Sequence, residues 1–303
     1  MVQSQLGQLI KDLRESSGLS QKELAKSICS QSEISKIEAG KNIPNIDTMI
    51  QIAIKVGVDL NYFFYRLEKP DYDFIKDRFM EIRKAVRNKD YQLLEKLLKK
   101  LDSHPLFQNN REKQFLLWHH GIVQYYLYKN SEQSLIYLSR SVEMKKSPAY
   151  TEQEIEIINS IGIIYCEEKN CNEGIELLKE ALEAFGKLPY ISNERVFIRL
   201  LYNLAKSYYY ENKYEESKTY CHQGIEYCLE TETNYLLGEH TYQLGLTLKK
   251  MEELEEALAS LHKARALFDI QNKAEYIKET DEYIKEIEDI LALKQTVAKT
   301  EPR

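Results

Sequence analysis

Apolar residues recur every three or four positions along the first 64 residues, a spacing that predicts amphipathic helices. A first helix has the apolar stripe Leu6, Leu9, Ile10 and Leu13, and a fourth helix carries Ile46, Met49, Ile50 and Ala53. The inner faces of the second and third helices are marked by Leu24 with Ile28 and by Ile34 with Ile37. A fifth, short helix is predicted at Asp59–Phe64. The pattern indicates a small domain of five helices.

Two Ser-x-x-Glu sequences mark the starts of the second and third helices. Ser20 with Glu23, and Ser30 with Glu33, fit the capping box, in which a hydroxyl and a carboxylate satisfy the free N–H groups of a first turn. Only two residues separate Ile28 from the third helix, so the two helices must cross sharply, as in a helix-turn-helix. In that arrangement the second of the two helices enters the major groove of DNA.

The exposed face of the third helix carries side chains that can read bases. Gln can bind adenine, Lys can reach guanine, Glu can accept from cytosine, and Ser can serve several bases. Gln21, at the start of the preceding helix, is expected to contact phosphate. The predicted DNA-binding residues are Gln21, Ser30, Gln31, Ser32, Glu33, Ser35 and Lys36. An ordinary solvated polar face is the alternative interpretation, and the neighbouring helices favour DNA recognition.

After the first domain the hydrophobic pattern repeats five times. The five segments align on a small or apolar residue, at separations of 40, 40, 43 and 40 residues. These residues, which we call the repeat anchors, are Ile82, Ile122, Gly162, Ala205 and Gly245. Positions 12, 16 and 19 residues after each anchor are again small or apolar. Small residues at fixed places let antiparallel helices approach closely, which is the tetratricopeptide pattern at a longer period.

We therefore predict an all-α protein, with an N-terminal phage-repressor-type helix-turn-helix domain followed by a superhelical array of five tetratricopeptide-like hairpins and a C-terminal capping helix. A linker is predicted around Pro70, which interrupts helical periodicity. The predicted parts are the helix-turn-helix domain at 1–66, the linker at 67–73, the repeats at 74–273, the capping helix at 274–295 and a flexible tail at 296–303.

The first helices of such an array form a concave wall, and an extended peptide lying there needs partners for its N–H and C=O groups. Side-chain amides supply both donors and acceptors. The candidates on this wall are Asn159, Ser160, Asn203, Lys206, Gln243 and the pair His119 and His120. For the two histidines a solvated polar position is the preferred interpretation. Asn159 and Asn203 recur just before an anchor, which favours binding.

Composition and charge indicate the type of fold, the oligomeric state and the location of the protein in the cell. Of 303 residues, 43% are hydrophobic and 30% charged, with only 11 Gly and 6 Pro, which suits long helices. The formal net charge is −6, but residues 1–69 carry nine basic and eight acidic side chains. So small a net charge on the first domain predicts modest non-specific DNA affinity. It therefore favours a homodimer, in which two DNA-binding domains contact one site. The N-terminus lacks the pattern of a signal peptide and no apolar run is long enough to span a membrane, so a cytoplasmic protein is predicted.

The five cysteines form no Cys-x-x-Cys pair, and no His/Cys set has zinc spacing. We expect no metal or cofactor. Buried free thiols are the preferred interpretation, and a redox-sensing pair of Cys166 and Cys171 is the alternative. No nucleophile–base set or phosphate-binding loop is present in the sequence, which predicts that the protein is not an enzyme.

Particular sequence stretches resemble known regulators. Gln21–Ala25 and Ser35–Gly40 are similar to the five-helix phage-repressor type of DNA-binding domain. In that type an Arg of the first helix pairs with the Glu that ends the recognition helix, which implies a structural pair of Arg14 with Glu38. Together with five long repeats, of which Tyr202–Ser207 is a telling stretch, the chain resembles the PlcR-type regulators of the RRNPP peptide quorum-sensing family.

The resemblance implies a homodimeric transcription regulator that binds a short signalling oligopeptide in the concave groove and then a palindromic double-stranded DNA operator. It places amide contacts to the peptide on Asn159, Asn203 and Gln243, a basic pair on Arg87 and Lys89, and aromatic contacts on Tyr65 and Tyr276. Lys206, from the concave wall, completes the set of predicted peptide-binding residues. Two other functions stay open at this point. One is a tetratricopeptide scaffold or anti-regulator that binds a protein partner, and the other is a phosphatase-like modulator of response regulators.

Overall fold

A computed structural model describes residues 2–68 and 72–300, and every regular element within them is a helix. The predicted linker at 67–73 therefore falls partly outside the described residues. The helices are α1 (Val2–Ser16), α2 (Gln21–Ala25), α3 (Gln31–Glu38), α4 (Ile46–Val56), α5 (Leu60–Glu68), α6 (Tyr72–Arg87), α7 (Tyr91–Leu101), α8 (Asn110–Tyr126), α9 (Ser131–Glu143), α10 (Glu152–Glu167), α11 (Cys171–Gly186), α12 (Arg195–Tyr210), α13 (Tyr214–Glu230), α14 (Leu237–Lys250), α15 (Leu254–Ile270) and α16 (Ala274–Thr300), with a short 3₁₀ turn at Pro105–Phe107. The all-α prediction is confirmed.

The described residues form two compact units that divide after Lys89. The first unit contains α1 to α6 and the second contains α7 to α16. The structure thus groups α6 with the first unit, whereas the sequence placed that helix in the first repeat. The predicted boundaries at residues 66 and 73 stay predictions.

The apolar positions that the periodicity predicted build most of the core of the first unit, except on α4, where Ile46 and Ile50 are exposed and Ile52 is buried instead. Ile10, Leu24, Ile34 and Ile52 are fully buried in one hydrophobic cluster. Helices α1 and α3 approach closely at Gly7, where an added Cβ atom would lie 2.3 Å from the backbone oxygen of Ile37. This close approach holds the inner face of α3 against the core and leaves the outer face of α3 available to contact a ligand.

The second helix is shorter than predicted. It ends at Ala25, and Ile28 lies in the turn that follows rather than on the helix. Ser27 adopts a left-handed backbone conformation with φ of 68°, which ends the helix as a C-terminal cap residue does. Ile28 nevertheless packs against the hydrophobic core, so its apolar character is still used.

In the second unit consecutive helices pack as antiparallel pairs, and α8, α10, α12 and α14 also contact one another in sequence. The residues 12 positions after an anchor lie where paired helices come closest. An added Cβ atom on Gly174 would lie 2.6 Å from the backbone oxygen of Gly162 and 2.5 Å from Sγ of Cys166. The prediction that small residues permit close helix pairing is confirmed.

The turn inside each repeat has the same backbone geometry. One residue, seven positions after each anchor, adopts a positive φ between 56° and 67°. These residues are Lys89, Lys129, Lys169, Asn212 and Glu252. The shared conformation shows that the same turn type follows α6, α8, α10, α12 and α14. At the other end of the array α16 extends to Thr300, five residues beyond the predicted end of the capping helix, and 301–303 lie outside the described residues.

Candidate functional site

The helix-turn-helix is held by two N-terminal caps that differ from each other. At α2 the predicted capping box is complete, because Ser20 Oγ accepts from the Glu23 N–H and the Glu23 carboxylate accepts from the Ser20 N–H. At α3 only half of it forms. Ser30 Oγ accepts from the Glu33 N–H at 3.1 Å, but the Glu33 carboxylate accepts from Asn42 Nδ2 at 3.0 Å instead. The prediction of a second capping box is therefore wrong, because the Glu33 carboxylate is hydrogen-bonded to a side chain of the following loop and not to the Ser30 N–H.

A chain of hydrogen bonds connects the start of α3 to the core of the first unit. Gln31 Nε2 donates to Gln21 Oε1 at 2.9 Å, and Gln21 Nε2 donates to Glu38 Oε2 at 2.8 Å. Glu38 in turn accepts two hydrogen bonds from the Arg14 guanidinium, the shorter at 2.6 Å. The Arg14–Glu38 pair forms as the resemblance implied, and the structure shows that it is buried. It orients Gln21, and through Gln21 it orients Gln31.

The predicted DNA-binding residues differ in exposure. Ser30, Gln31, Ser32 and Lys36 are exposed, while the other three, Gln21, Glu33 and Ser35, are half-buried. The exposed face of α3 is therefore formed by Gln31, Ser32 and Lys36. Their assignment to DNA stays a prediction.

On the inner helices of the second unit, two predicted peptide-binding amides meet. Asn203 Nδ2, on α12, donates to Asn159 Oδ1, on α10, at 2.8 Å. Asn159 is buried, and Asn203 is half-buried. The pair joins two successive repeats and still leaves the Asn203 carbonyl and the Asn159 amide hydrogens to bind other groups.

The remaining predicted residues of the second unit lie on α12, α14 and α16. Gln243 is buried, and its Nε2 has no hydrogen-bond partner among the described residues. Lys206 Nζ lies 5.6 Å from the centre of the Tyr210 ring. Tyr276 packs against Phe268 with ring centres 4.7 Å apart. Burial, and then the charge of Glu239, raise the pKa of Tyr276, so its hydroxyl remains a donor near neutral pH.

Three predicted peptide contacts belong to the first unit. Tyr65 is an exposed residue of α5, Arg87 is exposed at the end of α6, and Lys89 occupies the left-handed turn position described above. The assignment of these three side chains to a peptide rests on the resemblance alone.

The two histidines and Ser160 are engaged within the second unit. The expectation of a solvated position is wrong for His119, which is buried, with its Nδ1 2.7 Å from the Phe115 carbonyl oxygen. His120 pairs with Asp102 at 2.8 Å. Ser160 accepts from Trp118 Nε1 at 2.9 Å and donates to a backbone carbonyl of its own helix. These contacts give the three side chains structural roles.

A row of charged residues on the inner helices was missed by the sequence analysis. Glu156, Arg199 and Glu239 each stand six residues before a repeat anchor, which is the signal that could have found them. Arg199 donates to Glu156 at 2.8 Å, and Lys273 donates to Glu239. Adjacent to this row, His240 Nε2 donates to the Ile198 carbonyl oxygen at 3.0 Å, and burial lowers the pKa of His240 to about 4, so this imidazole stays neutral.

The cysteines are free thiols. Cys171, Cys221 and Cys228 are buried, and Cys29 and Cys166 are half-buried. Burial raises the pKa of Cys228 to about 11, and burial with the adjacent Cys166 raises that of Cys171 to about 12, which disfavours the reactive thiolate.

Within residues 2–68 and 72–300 no three His, Cys, Asp or Glu side chains gather as a metal-binding group. Over the same ranges, no helix has both the length and the apolar character that crossing a membrane requires.

A helix-turn-helix unit followed by a tetratricopeptide-like array defines a class of two-part helical proteins. Residues 10–63 match the helix-turn-helix pattern, and residues 79–286 match the RNPP family C-terminal domain. Since the second match covers most of the chain, the protein belongs to the RNPP family. A 57-residue stretch is 44% identical to the ImmF control region 10 kDa protein of Bacillus phage phi105, and the chain spans 63% of the length of that relative.

Solved structures agree with this assignment over nearly the full length. The crystal structure of Bacillus thuringiensis PlcR in complex with the peptide PapR7 and DNA has a TM-score of 0.83 at 29% identity, covering 91% of this chain and 99% of that one. PlcR in its apo form has a TM-score of 0.66 at 26% identity, covering 93% and 99%. ComR from S. thermophilus, in complex with DNA and its signalling peptide ComS, has a TM-score of 0.65 at 15% identity, covering 93% and 99%, and so shares the fold alone.

Proposed function

We propose that the protein is a transcription regulator of the PlcR type, whose binding to specific DNA is controlled by a short signalling peptide held on the inner helices of its repeats. The observation that carries this proposal is the full-length similarity to PlcR, a protein solved in complex with both a peptide and DNA. The exposed polar edge of α3 and the paired amides of Asn159 and Asn203 support the two halves of the proposal.

The DNA-binding half is tested with the double variant Gln31→Ala/Lys36→Ala. Both side chains are exposed on α3, and each lost base contact should cost about 1–3 kcal/mol of discrimination. We expect specific binding to a duplex selected from random DNA to be lost while the thermal unfolding midpoint hardly changes. Fluorescence anisotropy measures the affinity, and sedimentation of the complex gives the number of protein copies bound.

Lys84→Ala is the matched control for charge, because Lys84 is an exposed cation on α6 of the same unit. It should leave specific binding within about twofold of the wild type, since surface charges away from the contact contribute little. Wild-type affinity in the double variant would show that α3 does not read the bases.

The peptide-binding half is tested with Asn203→Ala. This change removes an inner-wall amide and also leaves Asn159 Oδ1 without its 2.8 Å donor. We expect peptide affinity to fall about tenfold or more, since a hydrogen bond to a buried polar group is lost, together with a modest drop of the unfolding midpoint. Peptides that co-purify with the protein from its native cells, identified by mass spectrometry, are titrated by calorimetry.

Gln223→Ala is the control for this test, because Gln223 is an exposed amide on the outer helix α13. Its peptide affinity and its unfolding midpoint should equal those of the wild type. The same peptide affinity in both variants would remove Asn203 from the binding site.

Homodimer formation is part of the proposal. The near-neutral first domain offers few phosphate contacts. Two DNA-binding domains about 34–36 Å apart would match the half-sites of a palindromic operator, which are one helical turn apart. The first unit also exposes an apolar row along α4 and the segment before it, formed by Ile43, Ile46, Ile50 and Ile54. Exposed apolar patches of this kind commonly mark association surfaces, which supports a second copy as the partner.

The peptide would act as a switch by binding one shape of the repeat array better than another. Amides on α10, α12 and α14 lie on three successive repeats, so one extended peptide would fix their relative angles. We place the protein in the cytoplasm, because a regulator of this kind works where the DNA is. We assign it no catalytic activity, because the similarity to PlcR, a protein solved with a peptide and DNA, favours a DNA-binding regulator over the scaffold and phosphatase-like alternatives.

A further inference from the structure

The charged row of the second unit places two carboxylates away from water. Glu156, Arg199 and Glu239 occupy the same repeat position on α10, α12 and α14. Glu156 is 3% exposed and Glu239 is 5% exposed. A buried carboxylate needs partners in the protein or in a ligand, because removing its charge from water is otherwise unfavourable.

The described residues meet this need only in part on α14. Glu239 Oε1 accepts from Lys273 Nζ, but Glu239 Oε2 is buried and has no hydrogen-bond partner among the side chains and backbone that the structure describes. One turn further along the helix, Gln243 Nε2 is buried and equally without a partner there. Gln243 stands two residues before its anchor, the repeat position that Asn203 occupies on α12. Helix α14 thus holds one acceptor and one donor that are buried without a partner among the described residues.

These two atoms match the main chain of an extended peptide. Side chains four residues apart on a helix have Cβ atoms about 5–6 Å apart. A residue in an extended strand points its N–H and its C=O to the same side, which lets it make two hydrogen bonds to one neighbour. A carboxylate oxygen can only accept, and an amide nitrogen can only donate. Because Lys273 already neutralises Glu239, a neutral N–H donor suits Oε2 better than a second cation does.

We propose that Glu239 and Gln243 form a main-chain reading site for one residue of the bound peptide, in which Glu239 Oε2 accepts the N–H of that residue and Gln243 Nε2 donates to its C=O. This inference rests on the proposed function and adds a selectivity rule to it. The residue that docks on α14 must carry an N–H group, so proline and N-methylated residues are rejected at that position.

The test uses full-length protein and a synthetic library of linear heptapeptides as the probe. Peptides retained by the wild type are identified by mass spectrometry, and each N–H of the tightest binder is replaced in turn by N–CH₃. We expect that, for one position, the N-methylated peptide binds the wild type at least about tenfold more weakly than the unmodified peptide does. This is the effect predicted for the loss of a hydrogen bond to a charged group. In Glu239→Leu the same N-methylation should change the affinity less than about twofold, because the contact is already absent.

Two further variants distinguish peptide contact from structural support. Lys273→Gln breaks the same ion pair but keeps Glu239, so it should retain the wild-type penalty for N-methylation. Glu239→Gln keeps the side-chain volume and serves if Glu239→Leu fails to fold; its N-methylation penalty should fall at least about threefold. An equal penalty in the wild type and in both Glu239 variants would overturn the inference and leave peptide binding intact. If the wild type retains no heptapeptide, the inference and the peptide half of the proposed function both fail.

Discussion

Glu38→Leu should destabilise the first unit by about 3–5 kcal/mol, because it leaves the Arg14 guanidinium as a buried charge without its partner. The two side chains are 9% and 3% exposed, and their shortest contact is 2.6 Å. The change also removes the acceptor that holds Gln21, and so loosens Gln31 at the start of α3. We therefore expect both the stability of α1 to α4 and specific DNA affinity to fall. Hydrogen exchange followed by mass spectrometry reports the stability of these helices in the full chain.

Two comparisons make this result specific. Glu15 also contacts Arg14, at 3.2 Å, but is 54% exposed, so Glu15→Ala should change stability by no more than about 0.5 kcal/mol. The double variant Arg14→Met/Glu38→Leu replaces both charges with apolar groups and should recover most of the stability, though not the orientation of Gln21. Equal effects of Glu38→Leu and Glu15→Ala would contradict the buried-pair interpretation.

Gly174→Val should cost on the order of 3 kcal/mol or more in the second unit, because α10 and α11 have no space for a side chain there. Its Cβ atom would lie 2.6 Å from the backbone oxygen of Gly162, an atom that moves only if the helix moves. Separating these helices would also displace Asn159, which lies on α10. Denaturant unfolding followed by circular dichroism measures the stability, and calorimetry measures peptide affinity.

The control for Gly174 is Gly186, at the end of the same helix, where an added Cβ atom meets nothing within 4 Å. Gly186→Ala should be neutral or stabilising by up to about 1 kcal/mol, since alanine favours the helix and restricts the unfolded chain. Gly174→Ala, which adds the Cβ atom alone, should fall between these two variants. A Gly174→Val protein as stable as Gly186→Ala would show that the repeats tolerate wider helix spacing.

Much of the fold could be predicted because its signals are local or periodic. The apolar spacing predicted the helices of the first unit, and the Ser20 cap formed as the sequence indicated because its partner lies three residues away. The repeat anchors predicted which small residues would lie between paired helices. The end of α2 was less predictable, since a left-handed Ser27 ends that helix three residues before the apolar pattern does.

The sites were predicted less completely, because a side chain's partner comes from elsewhere in the chain. Asn42 takes the Glu33 carboxylate from the loop after α3, which no capping rule would show. Asn159 and Asn203 stand 44 residues apart and meet only because two repeats stack.

The sequence by itself determined the all-helical class, the helix-turn-helix, the five repeats and the family, since each depends on residue spacing within one or two helices. Only the tertiary structure decided which polar groups are satisfied. The Arg14–Glu38 pair is buried with both charges present, whereas Glu239 and Gln243 are each buried with one atom that has no hydrogen-bond partner among the described residues. Burial and hydrogen-bond satisfaction depend on all the elements that pack around a side chain, so they become fixed only when the helices have assembled.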